Sequence, residues 1–69
     1  MNRMGSQMGG EARLRYLDAD FDVLAPGSYV TCAVTGQRIP LDELRYWSVD
    51  RQEPYVGPEQ MVKRDLGLA

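Results

Sequence analysis

Tyr29-Val30-Thr31-Cys32-Ala33-Val34-Thr35-Gly36 is the stretch from which the fold can be read. Its first half is aromatic and β-branched, the residue types that fit a pleated, half-buried surface. Thr35-Gly36 ends it in a tight turn, because glycine takes the backbone conformations that other residues avoid. Downstream, Arg45-Tyr46-Trp47-Ser48-Val49 reads as a returning strand, so segments 29–34 and 44–49 are expected to pair antiparallel. Between them, Ile39-Pro40-Leu41-Asp42-Glu43-Leu44 reads as a connector, since Pro40 cannot donate to a central ladder.

Working outward, Arg13-Leu14-Arg15-Tyr16-Leu17 alternates charge with apolar bulk, the pattern of a half-buried strand. Phe21-Asp22-Val23-Leu24 resumes it after an acidic interruption. Ala25-Pro26-Gly27-Ser28 has the signature of a type II turn, with proline at the second position and glycine at the third. Near the end, Gly57-Pro58-Glu59 looks like a helix entry, with proline where its missing N–H costs nothing. Gly67 can close that helix in the left-handed conformation. Val62 and Leu66, four apart, share a face that should pack on the sheet, because two turns of helix are marginal alone. The class is small α+β: an antiparallel β-meander or set of hairpins, followed by a short C-terminal helix. Phe21, Val30, Cys32, Ile39, Leu44 and Trp47, with Val62 or Leu66, form the expected core. Residues 1–11, rich in glycine and methionine, read as a disordered leader, and residues 12–69 as one domain.

Length and composition exclude more than they select. Sixty-nine residues make one small domain, and a chain this short buries only about 60% of its unfolded surface. Disulfides or a metal often compensate. Cys32 is the only cysteine and histidine is absent, so an internal disulfide and a four-ligand zinc site both fail for want of residues. No apolar run approaches the ~20 residues of a membrane helix, and no apolar stretch follows the N-terminal arginine as a secretory signal requires. The formal charge of −2 offers nucleic acid no global attraction. Catalytic parts are few: Ser28 and Ser48 have no base nearby, Lys63 is the sole lysine, and the pairs Asp42/Glu43 and Asp50/Glu53 would need a pocket to tune them. The expectation is a protein that is not an enzyme and needs no cofactor.

Two motifs invite a metal and decline it. Asp18, Asp20 and Asp22 open like a calcium loop, but Val23 and Tyr29 stand where that loop needs Gly and Glu. Cys32-Ala33-Val34-Thr35-Gly36 resembles a zinc-ribbon or treble-clef knuckle with Thr35 in place of the second cysteine. An ordinary β-turn with a buried small residue explains it equally well. Either way Cys32 should be buried and inert, as free cysteines commonly are.

The densest aromatic and polar segment is 45–55. Arg45, Tyr46, Arg51 and Tyr55 are candidate binding residues, because exposed Tyr and Arg are what interfaces use. Trp47 is assigned to the core. Two partners stay open: a protein (or a second copy of the chain), and single-stranded nucleic acid, whose bases stack on aromatic rings. Segregation of Arg13, Arg15, Arg38, Arg45 and Arg51 from the Asp18/Asp20/Asp22 edge would favour nucleic acid; interspersion would favour a protein partner or none.

Residues 16–55, with the pattern CAVTG..IPL.ELRYWSV.RQE.Y, resemble a small family of uncharacterised alphaproteobacterial proteins, a domain of unknown function. The resemblance implies a bacterial cytoplasmic protein and brings no activity, substrate or catalytic residue. Because metal ligands are lacking, the fold should be indifferent to chelators. Far-UV spectra with and without EDTA should superpose, and loss of structure on chelation would contradict this.

Overall fold

The computed structural model describes residues 10–68, within which the chain doubles back three times and then closes in a helix. β1 (Arg13–Tyr16) pairs antiparallel with β2 (Phe21–Ala25). β3 (Tyr29–Thr31) pairs likewise with β4 (Arg38–Pro40), and β5 (Tyr46–Ser48) with β6 (Glu53–Tyr55). A single 3-10 turn, Leu41–Glu43, joins β4 to β5, and helix α1 (Pro58–Asp65) follows β6. The class is the expected small α+β, antiparallel hairpins with a short C-terminal helix.

The pairing corrects the expectation. β3 takes its partner from the segment read as a connector, not from 44–49. The cause is the sharpness of the turn. Gly36 N–H donates to the Cys32 carbonyl at 3.0 Å and Cys32 N–H to the Gln37 carbonyl at 2.9 Å, with Gly36 at φ 77°. Residues 38–40 therefore arrive beside 29–31 at once. Pro40 faces Tyr29 at the last rung, where a missing N–H is tolerated. Segment 46–48 then folds onto 53–55. The result is three two-stranded ribbons, not one continuous sheet. Backbone bonds stitch them: Ala12 N–H to the Tyr29 carbonyl at 2.7 Å, and Ala33 N–H to the Pro54 carbonyl at 3.0 Å.

Gly27 corrects a second expectation. Among the described glycines only Gly36 and Gly67 have positive φ, so Gly27 does not supply a type II turn. What it supplies is space. A Cβ there would overlap the backbone of Gly10, Glu11 and Ala12, which crosses directly against it. Ser28 N–H donates to the Gly10 carbonyl at 2.9 Å in the same crossing. Gly10 and Glu11 thus belong to the fold, although the leader was expected to reach residue 11. The rest of that expected leader, residues 1–9, lies outside the described residues.

Ala12, Tyr16, Val30, Cys32, Ile39 and Leu44 form the buried cluster, with Phe21 and Trp47 half-buried against it. The helix, against expectation, contributes none of its residues to the core. Val62 and Leu66 are 49% and 67% exposed, while Gln60, Met61 and Arg64 face inward half-buried. The helix has turned its polar side to the protein because Arg64 is held there by Glu53. Its end is as predicted: Gly67 at φ 76° lets Leu68 N–H reach the Lys63 carbonyl and Gly67 N–H the Arg64 carbonyl.

The two tight glycines should respond differently to alanine. Gly36→Ala places a side chain in the left-handed region with open space around it, at a cost of about 1–3 kcal/mol. Gly27→Ala pushes the 10–12 backbone away and should cost more, about 3 kcal/mol or above. Thermal melting decides: equal midpoints for the two variants would show that the crossing at Gly27 yields freely.

Candidate interaction surface

The turn between β5 and β6 contains Gln52 at φ 55°, a conformation few non-glycine residues adopt. Its side chain explains the placement. Gln52 Oε1 accepts from Tyr16 N–H at 2.9 Å, while Nε2 donates to the Tyr16 carbonyl and to the Val49 carbonyl, each at 2.8 Å. One amide therefore reads the outer edge of β1 as another strand would. Trp47 adds a second link, donating its indole N–H to the Leu17 carbonyl at 2.7 Å. Its ring lies 6.0 Å from that of Tyr16 and meets Phe21 edge-on at 5.8 Å. Burial, then the nearby Glu11 charge, pushes the Tyr16 hydroxyl up to about 12.

These links bring two hairpin tips to one end of the molecule. Leu17 and Val49, each 39% exposed, lie there with half-buried Trp47 and exposed Arg51. This ledge holds an aromatic, a cation and two aliphatic side chains with no further part of the chain covering them fully.

Of the residues expected at a binding surface, three are accessible to different degrees and one is not. Arg45 is exposed, but its Nη1 lies back on the carbonyls of Asp42 and Leu44 at 3.2 and 3.3 Å. Tyr46 is half-buried directly opposite Tyr55. Arg51 stands at the other end of the hairpin, 3.2 Å from Asp65. Tyr55 is 0% exposed and is removed from the surface: the Ala33–Pro54 backbone bond draws β6 against the Cys32 turn and carries Tyr55 inside. The four residues do not make one patch. Gln52, Leu17 and Val49 escape sequence reading because each sits beside a turn, where neither strand nor helix periodicity applies.

Glu53 organises the other side of this hairpin. Arg64 forks it, Nε to Oε1 and Nη2 to Oε2, both at 3.0 Å, and the Tyr55 hydroxyl donates to Oε1 at 3.1 Å. Arg64 first, and Tyr55 and Arg51 besides, hold the Glu53 carboxyl below its usual range despite partial burial. The Tyr55 hydroxyl moves up, through burial and its bond to that carboxylate. A depressed carboxyl stabilises the fold fully above the ordinary carboxylate range, and the benefit is lost as pH falls through the lowered value.

The Cys32 turn has the strand, tight turn and return expected of it. Thr35 N–H points at Cys32 Sγ from 3.5 Å, and Gln37 N–H donates to Thr35 Oγ1 at 3.1 Å. Burial pushes the thiol up, but the Thr35 hydroxyl and the amides of Thr35, Val34 and Val56 outweigh it and bring it down. Cys32 is 2% exposed, buried as expected. Among the described residues no group of three metal-ligating side chains converges, there or elsewhere.

The hairpin series and its helix define a small α+β domain. Residues 23–64 match the family described as an uncharacterized protein conserved in bacteria (DUF2093), and the chain belongs to that family. No curated protein and no solved structure matches the chain.

Removing the Gln52 amide leaves the part-buried N–H and carbonyl of Tyr16 unpaired, at about 1–3 kcal/mol. Gln52→Ala should therefore be the least stable variant in urea unfolding. Gln52→Gly should recover about 1 kcal/mol of backbone strain without restoring the clamp. Wild-type stability in Gln52→Ala, which keeps the strained backbone and removes only the amide, would show that the clamp contributes nothing.

Proposed function

We propose that this chain is a small, non-catalytic module that binds another protein through the ledge of Leu17, Trp47, Val49 and Arg51, and that it does so in the bacterial cytoplasm, as the family resemblance implies. One observation carries the reading. Among the described residues, the large hydrophobics left exposed (Leu17, Val23, Leu24, Val49, Val62, Leu66 and Leu68) are as numerous as the residues that form the core. Scattered singly, such residues need no explanation. Leu17 and Val49, however, lie at one end with half-buried Trp47 and exposed Arg51. Apolar side chains around a tryptophan and an arginine are the makings of an interface centre.

The arrangement of charge favours a protein over nucleic acid. Arg15 stands opposite Asp22 across the first ribbon, and Arg51 and Arg64 are paired with Asp65 and Glu53. Arg38 lies over the Tyr29 ring at 4.6 Å. Cations mixed with carboxylates in this way do not form the basic stripe that a phosphate backbone needs. No helix among the described residues is long and apolar enough to cross a membrane.

Trp47 is the only tryptophan, so its emission reports directly on the ledge. Proteins captured from a bacterial lysate by the tagged chain should shift that emission when added back purified. A Leu17→Ser/Val49→Ser double variant should lose the capture, while Leu24→Ser, on the opposite ribbon edge, should keep it. Equal capture by both variants would overturn the assignment. Binding that collapses between low and moderate salt would instead indicate nucleic acid, through counterion release.

A further inference from the structure

We infer that helix α1 is a strap held shut by charge, able to release from the β5–β6 hairpin and unwind while the rest of the domain stays folded. Three observations point the same way. The helix has no buried residue, and its two exposed aliphatics, Val62 and Leu66, lie on the side away from the protein. It packs against β5 and β6 among the strands. Beside half-buried Gln60 and Met61, what fastens it there is ionic: the two-pronged Arg64–Glu53 pair, whose side chains are only about a quarter exposed, and the more open Arg51–Asp65 pair.

An element attached in this way behaves differently from one rooted in the core. Eight residues make too short a helix to persist free in water, so detachment and unwinding are one event. Pro58 at the first turn and the glycine cap at Gly67 shape the helix once docked, and neither anchors it to the sheet. The groups facing Glu53 are Arg64 from the helix, Arg51 from the turn and Tyr55 from its own strand. Only Arg64 among them belongs to the strap, so this two-pronged pair is its main fastening and the Arg51–Asp65 pair the lesser one. On release the strap uncovers the sides of β5 and β6 on which it rests, including the Glu53 carboxylate and the Tyr55 hydroxyl. This inference does not rest on the binding ledge at the two hairpin tips, although Arg51 takes part in both.

Amide hydrogen exchange on the intact chain tests it. The reporters are the amides of Met61, Leu66 and Leu68, bonded to the carbonyls of Gly57, Val62 and Lys63; the references are Cys32, bonded in the β3–β4 turn, and Ala12 and Ala33, bonded between ribbons. In Glu53→Gln and in Arg64→Met, which keeps the stem but removes the charge, the reporters should exchange about ten- to a hundredfold faster, as loss of a charged hydrogen bond implies. The references should hold their wild-type rates. If reporters and references accelerate together, the helix is part of the global folding unit and the inference fails. If neither set moves in both variants, charge does not hold the helix and it fails equally.

Discussion

The side-chain amide of Gln52 is the interaction on which the arrangement of this domain depends. Three separate two-stranded ribbons have no shared ladder to align them, and an isolated ribbon is marginal in water. Gln52 supplies a substitute rung. By satisfying both the N–H and the carbonyl of Tyr16, it locks the first ribbon to the third across thirty-six positions of sequence. The side chain reaches that edge only from a backbone held at positive φ. The strain at Gln52 and the alignment of the ribbons are thus two views of one contact, with Trp47 bracing it from the Leu17 side.

Much of the architecture is legible in the sequence, and the failures share a cause. Val30, Cys32, Ile39 and Leu44 are buried as their pattern demands, and the glycines at 36 and 67 take the conformations that their places at turn and helix end require. Local rules reach these features because each involves residues a few positions apart. What escapes local rules is contact at long range. Nothing near Gly27 announces that residues 10–12 will cross it, and nothing near Val62 announces that Arg64 will win the inward side of the helix. In the second case a hydrophobic pattern of two residues competed with a two-pronged charged bond, and a short helix offers too little apolar area to prevail.

The binding segment shows the same division. Residues 45–55 do carry much of the domain's connectivity, yet their aromatics and arginines are consumed unequally. Tyr55 goes inside, Arg45 folds onto its own turn, and Trp47 is shared between core and surface. Residue type alone cannot tell these fates apart, because Tyr and Arg serve packing and recognition with equal facility. The register of the β5–β6 hairpin decides among them, together with the Ala33–Pro54 bond that seats β6 against the Cys32–Gly36 turn. There the backbone amides around a buried sulfur organise the reversal within the protein's own hydrogen bonds.

The ribbon edges have a consequence for life in a crowded cell. A two-stranded ribbon exposes an unpaired edge on each side, and such edges can recruit strands from other chains into aggregates. Here the first ribbon is obstructed on both. Tyr29 and Gln52 occupy the β1 edge at Ala12 and Tyr16. On β2, the Asp20 carboxylate accepts the Phe21 N–H at 2.7 Å, Leu24 bulges out of register, and Pro26 follows directly. A strand from a neighbouring molecule would find donors already taken, a kink where it must run straight, and a proline where it needs an N–H. The first ribbon can therefore leave Val23 and Leu24 open to solvent without offering beside them an unbroken backbone ladder.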